Sequence, residues 1–357
     1  MSRRLTINGF EINDDSDCFV IAEIGNNHQG SLEKCKEMFR IAKECGANAV
    51  KLQKRDNRAL YTKAAFDRPY DHENSFGLTY GEHREFLEFG AYEYQELKKY
   101  AEDVGITFFS TAFDIPSADF LGELDMPAYK IASGDLKSLP LIKHIAQFQK
   151  PMIVSTGAAT LEDVQRVYDA IMPINPQLCI LQCTASYPAD FEELDLKVIE
   201  TYRELFGDSV IGLSSHDNGI AMAVAAYVLG ARVIEKHFTL NRAMKGTDHA
   251  FSLEPTGLRK MVRDLRRTRQ AFGDGVKKVH LNERPAYFKM GKKLVAADNL
   301  PVGHVLRAED IAMKSPGDGL PPYELDNVIG KVLTKPLRVD ESITLAGLVE
   351  NIKQIAV

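Results

Sequence analysis

The chain has 357 residues, 45% of them hydrophobic and 26% charged, with a formal net charge of −6. That length accommodates one large domain of barrel size and a small second one, and the composition carries no signature of disorder. The negative balance argues against a general nucleic-acid binder, while leaving room for a local basic pocket that takes a small anion.

The opening stretch MSRRLTINGFEINDD lacks the apolar core of a signal peptide. The longest apolar run, Ile220 to Ala231, spans about a dozen residues, too short for a bilayer and suited to a buried helix. No membrane partner is expected. Cys18, Cys35, Cys45, Cys179 and Cys183 form no CxxC pair, an odd set that fits reduced thiols and a cytoplasmic location.

In chain order, LTINGFEI alternates around Asn8-Gly9 and predicts a hairpin. One unit then repeats, a short β-rich run followed by a helical stretch. The predicted strands are FVIAEIG from Phe19, AVKLQ from Ala49, ITFFST from Ile106 and AYKIAS from Ala128. PMIVST from Pro151, CILQCT from Cys179, VIGLSS from Val210 and RVIEKHF from Arg232 complete eight. Helices are predicted at Leu32–Glu44, Glu93–Asp103, Leu161–Met172, Ile220–Leu229 and Leu258–Phe272. Such alternation with near-continuous apolar strands predicts a parallel α/β sheet covered on its outside, and eight units fit a closed (β/α)₈ TIM barrel. The one long interruption, Lys54 to Tyr92, is rich in charge and aromatics and is a candidate lid or substrate loop.

Past Phe272 the pattern changes. LVAADNLPVGHVLRAEDI from Leu294 returns 37 residues later as KVLTKPLRVDESITLAGL, so that Leu300, Val302, Leu306 and Ile311 fall on Leu337, Val339, Ile343 and Leu348. This predicts a small pseudo-symmetric β-rich module, too short of core to be comfortable alone. The expected division is a barrel with its hairpin over 1–280, a linker over 281–291 and the small module over 292–357.

A barrel places its active site at the C-terminal ends of the strands, and reactive residues collect there: Glu23, Lys51 and Gln53, Ser110-Thr111, then Lys130 with Ser133 and Asp135. Ser155, Thr184 with Tyr187, Ser214 to His216, and His237 follow. Two lysines within apolar strands, together with hydroxyls and the turns Ser133-Gly134 and Thr156-Gly157, make a ready anion site. His216 and His237 close neighbouring strands and can converge on a divalent ion, with Glu23 and Asp248 able to reach the same mouth. Imidazole, carboxylate and water suit Mn²⁺, with Mg²⁺ or Zn²⁺ as alternatives. No GxGxxG pattern occurs, and no dinucleotide site is expected.

The ordered motifs AEIGNNHQG, VKLQ, FFSTAFD, YKIASGD, QCTASYP, LSSHD, EKHFTL and KGTDHAFSLEP, from Ala22 to Pro255, closely resemble the sialic acid synthase family, related to the pseudaminic and legionaminic acid synthases. The tail from about Lys292 resembles the family's antifreeze-like, or SAF, domain. The resemblance covers nearly the whole chain. It implies metal-dependent condensation of phosphoenolpyruvate with N-acetylmannosamine or a related six-carbon sugar, giving a nine-carbon 2-keto acid and phosphate. Carried over, Lys51, Thr111, Lys130, Ser133, Ser155 and Ser214 would hold phosphoenolpyruvate, and His216 and His237 the metal. Glu23 would move the proton of the attacking water, and should be ionised beside lysines and a metal. Gln53, Asp135, Tyr187 and Asp248 would grip the open-chain sugar. Three positions depart from the bacterial pattern. Asp135 stands where Glu is usual, although the animal branch has Asp, and Ala185 stands where some members have Asn. The family's KRPG motif, whose Arg reaches a partner subunit's sugar, reads Lys314-Ser315-Pro316-Gly317, leaving Lys314 as the available cation. A homodimer with the tail docked on a partner barrel is the family expectation. Rival readings are a Schiff-base aldolase or lyase using Lys130, a metal-dependent hydrolase, and a non-catalytic sugar- or ice-binding protein.

Overall fold

Near-continuous apolar runs separated by amphipathic helices produce, in the computed structural model, a closed barrel of eight parallel strands. Residues 3–351 are described; they form two compact units divided after Phe272.

The first unit opens with the expected hairpin, β1 (Arg4–Ile7) and β2 (Phe10–Asn13). The barrel strands are β3 (Phe19–Gly25), β4 (Ala49–Lys54), β5 (Thr107–Ala112), β6 (Tyr129–Ile131), β7 (Met152–Ser155), β8 (Leu178–Cys183), β9 (Val210–Ser215) and β10 (Val233–His237). Each pairs with the next, and β10 closes the ring on β3. Around it lie α1 (Leu32–Cys45), then α2 (Asn57–Leu60), α3 (Lys63–Phe66) and α4 (Tyr80–Leu87) in the long insertion, and α5 (Ala91–Val104). There follow α6 (Ile115–Glu123), α7 (Leu139–Ala146), α8 (Leu161–Ile171), α9 (Val198–Leu205), α10 (Ala221–Val228) and α11 (Pro255–Ala271).

Local chemistry sets the helix ends. α1 begins at Ser31, whose hydroxyl accepts the Lys34 N–H, and stops at Gly46 in the left-handed region. α8 carries a reciprocal cap between Thr160 and Asp163. α11 starts three residues before the predicted Leu258 because Pro255 supplies a pre-set first turn. β6 is shorter than AYKIAS predicts, since Ser133–Asp135 turns into a 3₁₀ segment.

The insertion is folded rather than loose. Tyr61, Tyr70, Tyr80 and His83 stack edge to face or tilted, and α4 is closed by a Thr79–Glu82 capping box. Gly81 lets α4 lie on Phe66, because a Cβ there would stand 2.3 Å from that ring.

Two apolar layers hold the barrel. One lies between strands and helices. The other fills the floor, where Phe19, Ile21, Ala49, Phe109, Ala128, Ile153, Val210 and Val233 meet Leu5, Ile7 and Ile12 of the hairpin. The hairpin therefore plugs the N-terminal end, and each of its three buried side chains contributes about 1.5–3 kcal/mol at most. All five cysteines are free. Among the described residues no helix is long and apolar enough to cross a membrane.

The second unit holds α12 (Arg284–Met290), β11 (Lys293–Ala296), β12 (Ile311–Lys314), α13 (Leu325–Val328), β13 (Val332–Leu333) and β14 (Leu348–Val349). α12 lies in the stretch expected as a linker. The repeat predicted from sequence is a structural dyad: Leu300 pairs with its own equivalent Leu337, while Val295 with Ser342 mirrors Val332 with Val305. Leu300, Leu306, Leu337 and Ile343 are buried. Val302 and Val339, expected with them, are both exposed, so the two halves depart from the predicted core in the same place.

Candidate active site

Along each barrel strand alternate residues point inward, apolar near the floor and polar toward the mouth. Register then puts the reactive ones side by side: His237 is level with Glu23, Glu23 with Lys51, Thr111 with Lys130, and Ser214 with both Cys183 and Glu235. A bulge between Glu23 and Gly25 re-aims the end of β3. Gly25 has φ +54°, and a Cβ there would meet Gln53 Nε2 and Glu23 Oε1 at 3.2 Å. A side chain at this position would press on both.

The mouth holds a cavity of about 700 Å³. It is lined by Glu23, Lys51, Gln53, Thr111, Lys130, Ser133, Ser155, Tyr187, Ser214, His216, His237 and Asp248, all singled out from sequence. The expected substrate loop contributes Arg55, His72, Asn74 and Arg84 to the wall. A neighbouring hollow of about 660 Å³, beyond Cys183 and Ala185, is lined by no Lys, Arg or His, and so offers an anion nothing comparable.

At the floor, Lys51 Nζ lies 2.7 Å from Glu23 Oε2 and donates to Thr111 Oγ1 at 2.9 Å. Lys130 Nζ donates to Ser155 Oγ at 2.6 Å. Between the lysines sits Glu235, with Oε1 3.7 Å from each and accepting from Ser214 Oγ at 3.2 Å. Glu235 was not singled out from sequence, although its position two residues before His237 puts it on the same inward face. Burial pushes the Glu235 carboxyl up, but Lys130 and Lys51 together hold it below the ordinary range. Burial, partly opposed by Glu235, lowers the Lys130 amine. Burial raises Glu23, with Lys51 pulling it back and Glu235 adding to the rise. The lysine that was expected to ionise Glu23 thus competes with a larger desolvation effect.

Glu23 is fixed from its other side as well. Gln53 Nε2 donates to Glu23 Oε1 at 2.8 Å, and Arg55 Nη2 donates to Gln53 Oε1 at 2.6 Å. The guanidinium can only donate, so it settles which end of the amide faces the carboxylate. Ser133 accepts the Gly157 N–H at 2.9 Å, so that N–H, expected to face an anion, is already engaged.

His216 and His237 have ring centroids 5.4 Å apart, with the Tyr187 ring tilted against His216 at 4.1 Å between centroids. His216 Nδ1 is 2.7 Å from the Thr184 carbonyl, which can only accept, so Nε2 keeps its lone pair. Burial, with His237 beside it, lowers His216 to about 4. Burial lowers His237 too, despite Asp248 Oδ2 at 3.8 Å. Its Nδ1 is buried without a hydrogen-bond partner. Neutral rings with a free lone pair fit a divalent ion with two protein nitrogens, leaving its other positions to water or substrate. Glu23 is turned to Lys51 and Gln53, and among the described residues no third His, Cys, Asp or Glu completes a cluster.

Of the residues expected to hold substrate or metal, two lie outside the cavity lining. Lys314 belongs to the second unit, where it is exposed and paired with Asp340. Asp135, half-buried in the 3₁₀ turn, has Oδ2 shut from solvent and unpartnered. Burial raises its carboxyl from 3.8 to about 6, with Arg55 opposing and Asp114 adding to the rise. A carboxyl whose folded pKa lies above its unfolded value contributes stability below the unfolded pKa and loses it as pH rises through the folded one. Asp135→Asn should therefore match the wild type in Tm near pH 4 and gain on it between about pH 4 and 6. A Tm difference that stays flat across that window removes the assignment.

A parallel barrel whose mouth gathers buried lysines, hydroxyls, a carboxylate and two imidazoles defines an enzyme acting on a small anionic substrate. The chain belongs to the NeuB family, matching it over residues 38–277, and matches the SAF domain over residues 293–349. It is 41% identical over 335 residues to N-acetylneuraminate-9-phosphate synthase of Homo sapiens, covering 94% of this chain and 93% of that protein. It is 34% identical to N,N'-diacetyllegionaminic acid synthase of Legionella pneumophila, covering 94% and 96%. The crystal structure of N-acetylneuraminic acid (sialic acid) synthetase from Leptospira borgpetersenii, in complex with citrate, matches with TM-score 0.69 at 30% identity, over 80% of this chain and 95% of that one.

Proposed function

We propose that this chain is a sialic acid-type synthase that joins phosphoenolpyruvate to a 2-acetamido hexose aldehyde such as N-acetylmannosamine, giving a nine-carbon 2-keto sugar acid and phosphate. The observation that carries the reading is the pair of buried lysines, each on a hydroxyl and sharing Glu235, in one cavity with two neutral imidazoles. Lys51 and Lys130, with Thr111, Ser155 and Ser214, hold the anion at the floor. Gln53, Tyr187 and Asp248 orient the open-chain sugar above it, so that C3 of phosphoenolpyruvate meets the aldehyde carbon. Water adds at the electron-poor C2 that results, Glu23 takes its proton, and the hemiketal phosphate collapses with loss of phosphate. A divalent ion on His216 and His237, Mn²⁺ in this reading, supplies Lewis-acid polarisation of the aldehyde oxygen. The reading extends to a cytoplasmic homodimer in which the second unit docks on a partner copy's barrel.

Phosphate release from phosphoenolpyruvate with Mn²⁺, across a panel of open-chain sugars and with a chelator control, tests this. Release needing both a 2-acetamido hexose and the metal is expected, and His216→Ala should remove metal binding while the barrel stays folded. Full activity in chelator would sink the metal assignment. The lowered amine of buried Lys130 favours one second reading, an imine-forming pyruvate aldolase. Borohydride trapping with pyruvate would expose it.

A further inference from the structure

His216 and His237 stand one step past the point where the sheet holds their strands together. The last pairing of β9 with β10 joins Ser215 to Lys236. The next register position would set His216 beside His237, but β9 has ended. His216 is tied instead toward the end of β8, by the Thr184 carbonyl at its ring and by the Ala189 N–H, which donates to its carbonyl at 3.3 Å. Those bonds do not reach β10. Two rings that serve one ligand need a fixed separation, and that requires a tie between their own strands.

An ion pair on the other face of the wall supplies it. Glu235 and His237 point into the barrel, so Lys236 between them points out, and Asp217 meets it there. Ser215, Asp217 and Lys236 are all buried, and none of them lines the cavity. Lys236 Nζ donates to Asp217 Oδ1 at 2.8 Å and to the Asp217 carbonyl at 2.6 Å. The Ser215 hydroxyl donates to the same Oδ1. The amine therefore grips main chain as well as side chain. It does so from the residue before His237, at the residue after His216.

Stability alone gives little reason for such a pair. Taking two charges out of water commonly costs as much as their attraction returns, and an apolar pair of similar volume often folds as well or better. Asp217 Oδ2 is buried without a partner, so even this pair is incompletely satisfied. What it provides, and an apolar contact does not, is direction.

We propose that Lys236 and Asp217 are positioning residues, whose ion pair fixes the His216 loop to β10 and so sets the separation of the two imidazoles on which binding of a divalent ion depends. This rests on the metal reading of those imidazoles.

The test uses the full chain as wild type, Lys236→Met and the double variant Lys236→Met/Asp217→Leu. Mn²⁺ binding is titrated by the paramagnetic resonance of the free ion, with and without phosphoenolpyruvate, and Tm is measured in chelator. Lys236→Met strands a buried carboxylate and should lose Tm, so the double variant carries the decision. It should keep the wild-type Tm or exceed it, while its Kd for Mn²⁺ rises roughly 10- to 100-fold. Its KM for phosphoenolpyruvate should stay unchanged, because Lys51, Lys130 and their hydroxyl partners are untouched. An unchanged Kd in the double variant overturns the proposal and leaves the metal reading standing. A double variant that loses Tm as Lys236→Met does, or whose KM for phosphoenolpyruvate rises in step with the Kd, also overturns it, since the pair would then hold the fold rather than the imidazoles. A wild type that binds no Mn²⁺ in either titration sinks the metal reading and the proposal with it.

Discussion

Glu23→Gln is expected to slow phosphate release by roughly 10²–10⁴-fold while phosphoenolpyruvate still binds. The amide keeps the shape of the carboxylate and an oxygen for the Gln53 N–H, but it can neither carry charge nor accept a proton. Lys51 retains Thr111 and Glu235, and Lys130 retains Ser155, so the floor that holds the anion persists. The loss should appear in kcat, with little change in the KM for phosphoenolpyruvate. Because burial raises the Glu23 carboxyl, the wild-type rate should climb with pH through a limb lying above the ordinary glutamate range. Turnover within tenfold of the wild type would remove Glu23 as the base.

Glu235→Gln should instead cost stability. Glu235 is the shared counter-ion of Lys51 and Lys130, all three nearly inaccessible to solvent. Removing one partner of a buried ionic cluster costs about 3–5 kcal/mol. For a barrel of this size that is a fall in Tm on the order of 10 °C. The same change leaves the floor more positive, so phosphoenolpyruvate should bind no more weakly and should raise the variant's Tm more than the wild type's. A Tm equal to the wild type's would mean that Glu23 alone balances both lysines.

How far these residues were legible depends on the kind of signal each carried. The eight strands and the site on them could be read because two constraints coincide: short, near-continuous apolar runs between helical stretches mark the strands, and a barrel assigns its mouth. Lys51 and Lys130 stood out as cations inside apolar runs. Glu235 escaped because His237 is the residue that marks the mouth end of β10, although counting back two residues gives the same face. Arg55 and Arg84 carried no signal of their own beyond membership of the insertion expected as a lid or substrate loop. In sequence that insertion is only charged and aromatic, and it is the packing of Tyr61, Tyr70 and Tyr80 that holds α4 where Arg84 reaches the cavity wall. Asp135 was legible as polar, but not as half-buried with one carboxylate oxygen shut from solvent, because that depends on the 3₁₀ turn that ends β6 early. In the second unit the repeat revealed the dyad, yet it did not say which equivalent pairs turn inward.

The hairpin plug also bears on the order in which the molecule can mature. β1 and β2 are made first, but the floor they seat on is assembled from strands running from Phe19 to Val233. Ring closure requires β10 to reach β3. Until then Leu5, Ile7 and Ile12 have no complete floor to cover, and a nascent chain carries them as exposed apolar surface that invites wrong partners. The closing step that completes the floor also sets His237 beside Glu23. An incomplete barrel therefore has neither a dry base nor a reactive mouth, and the two arrive together.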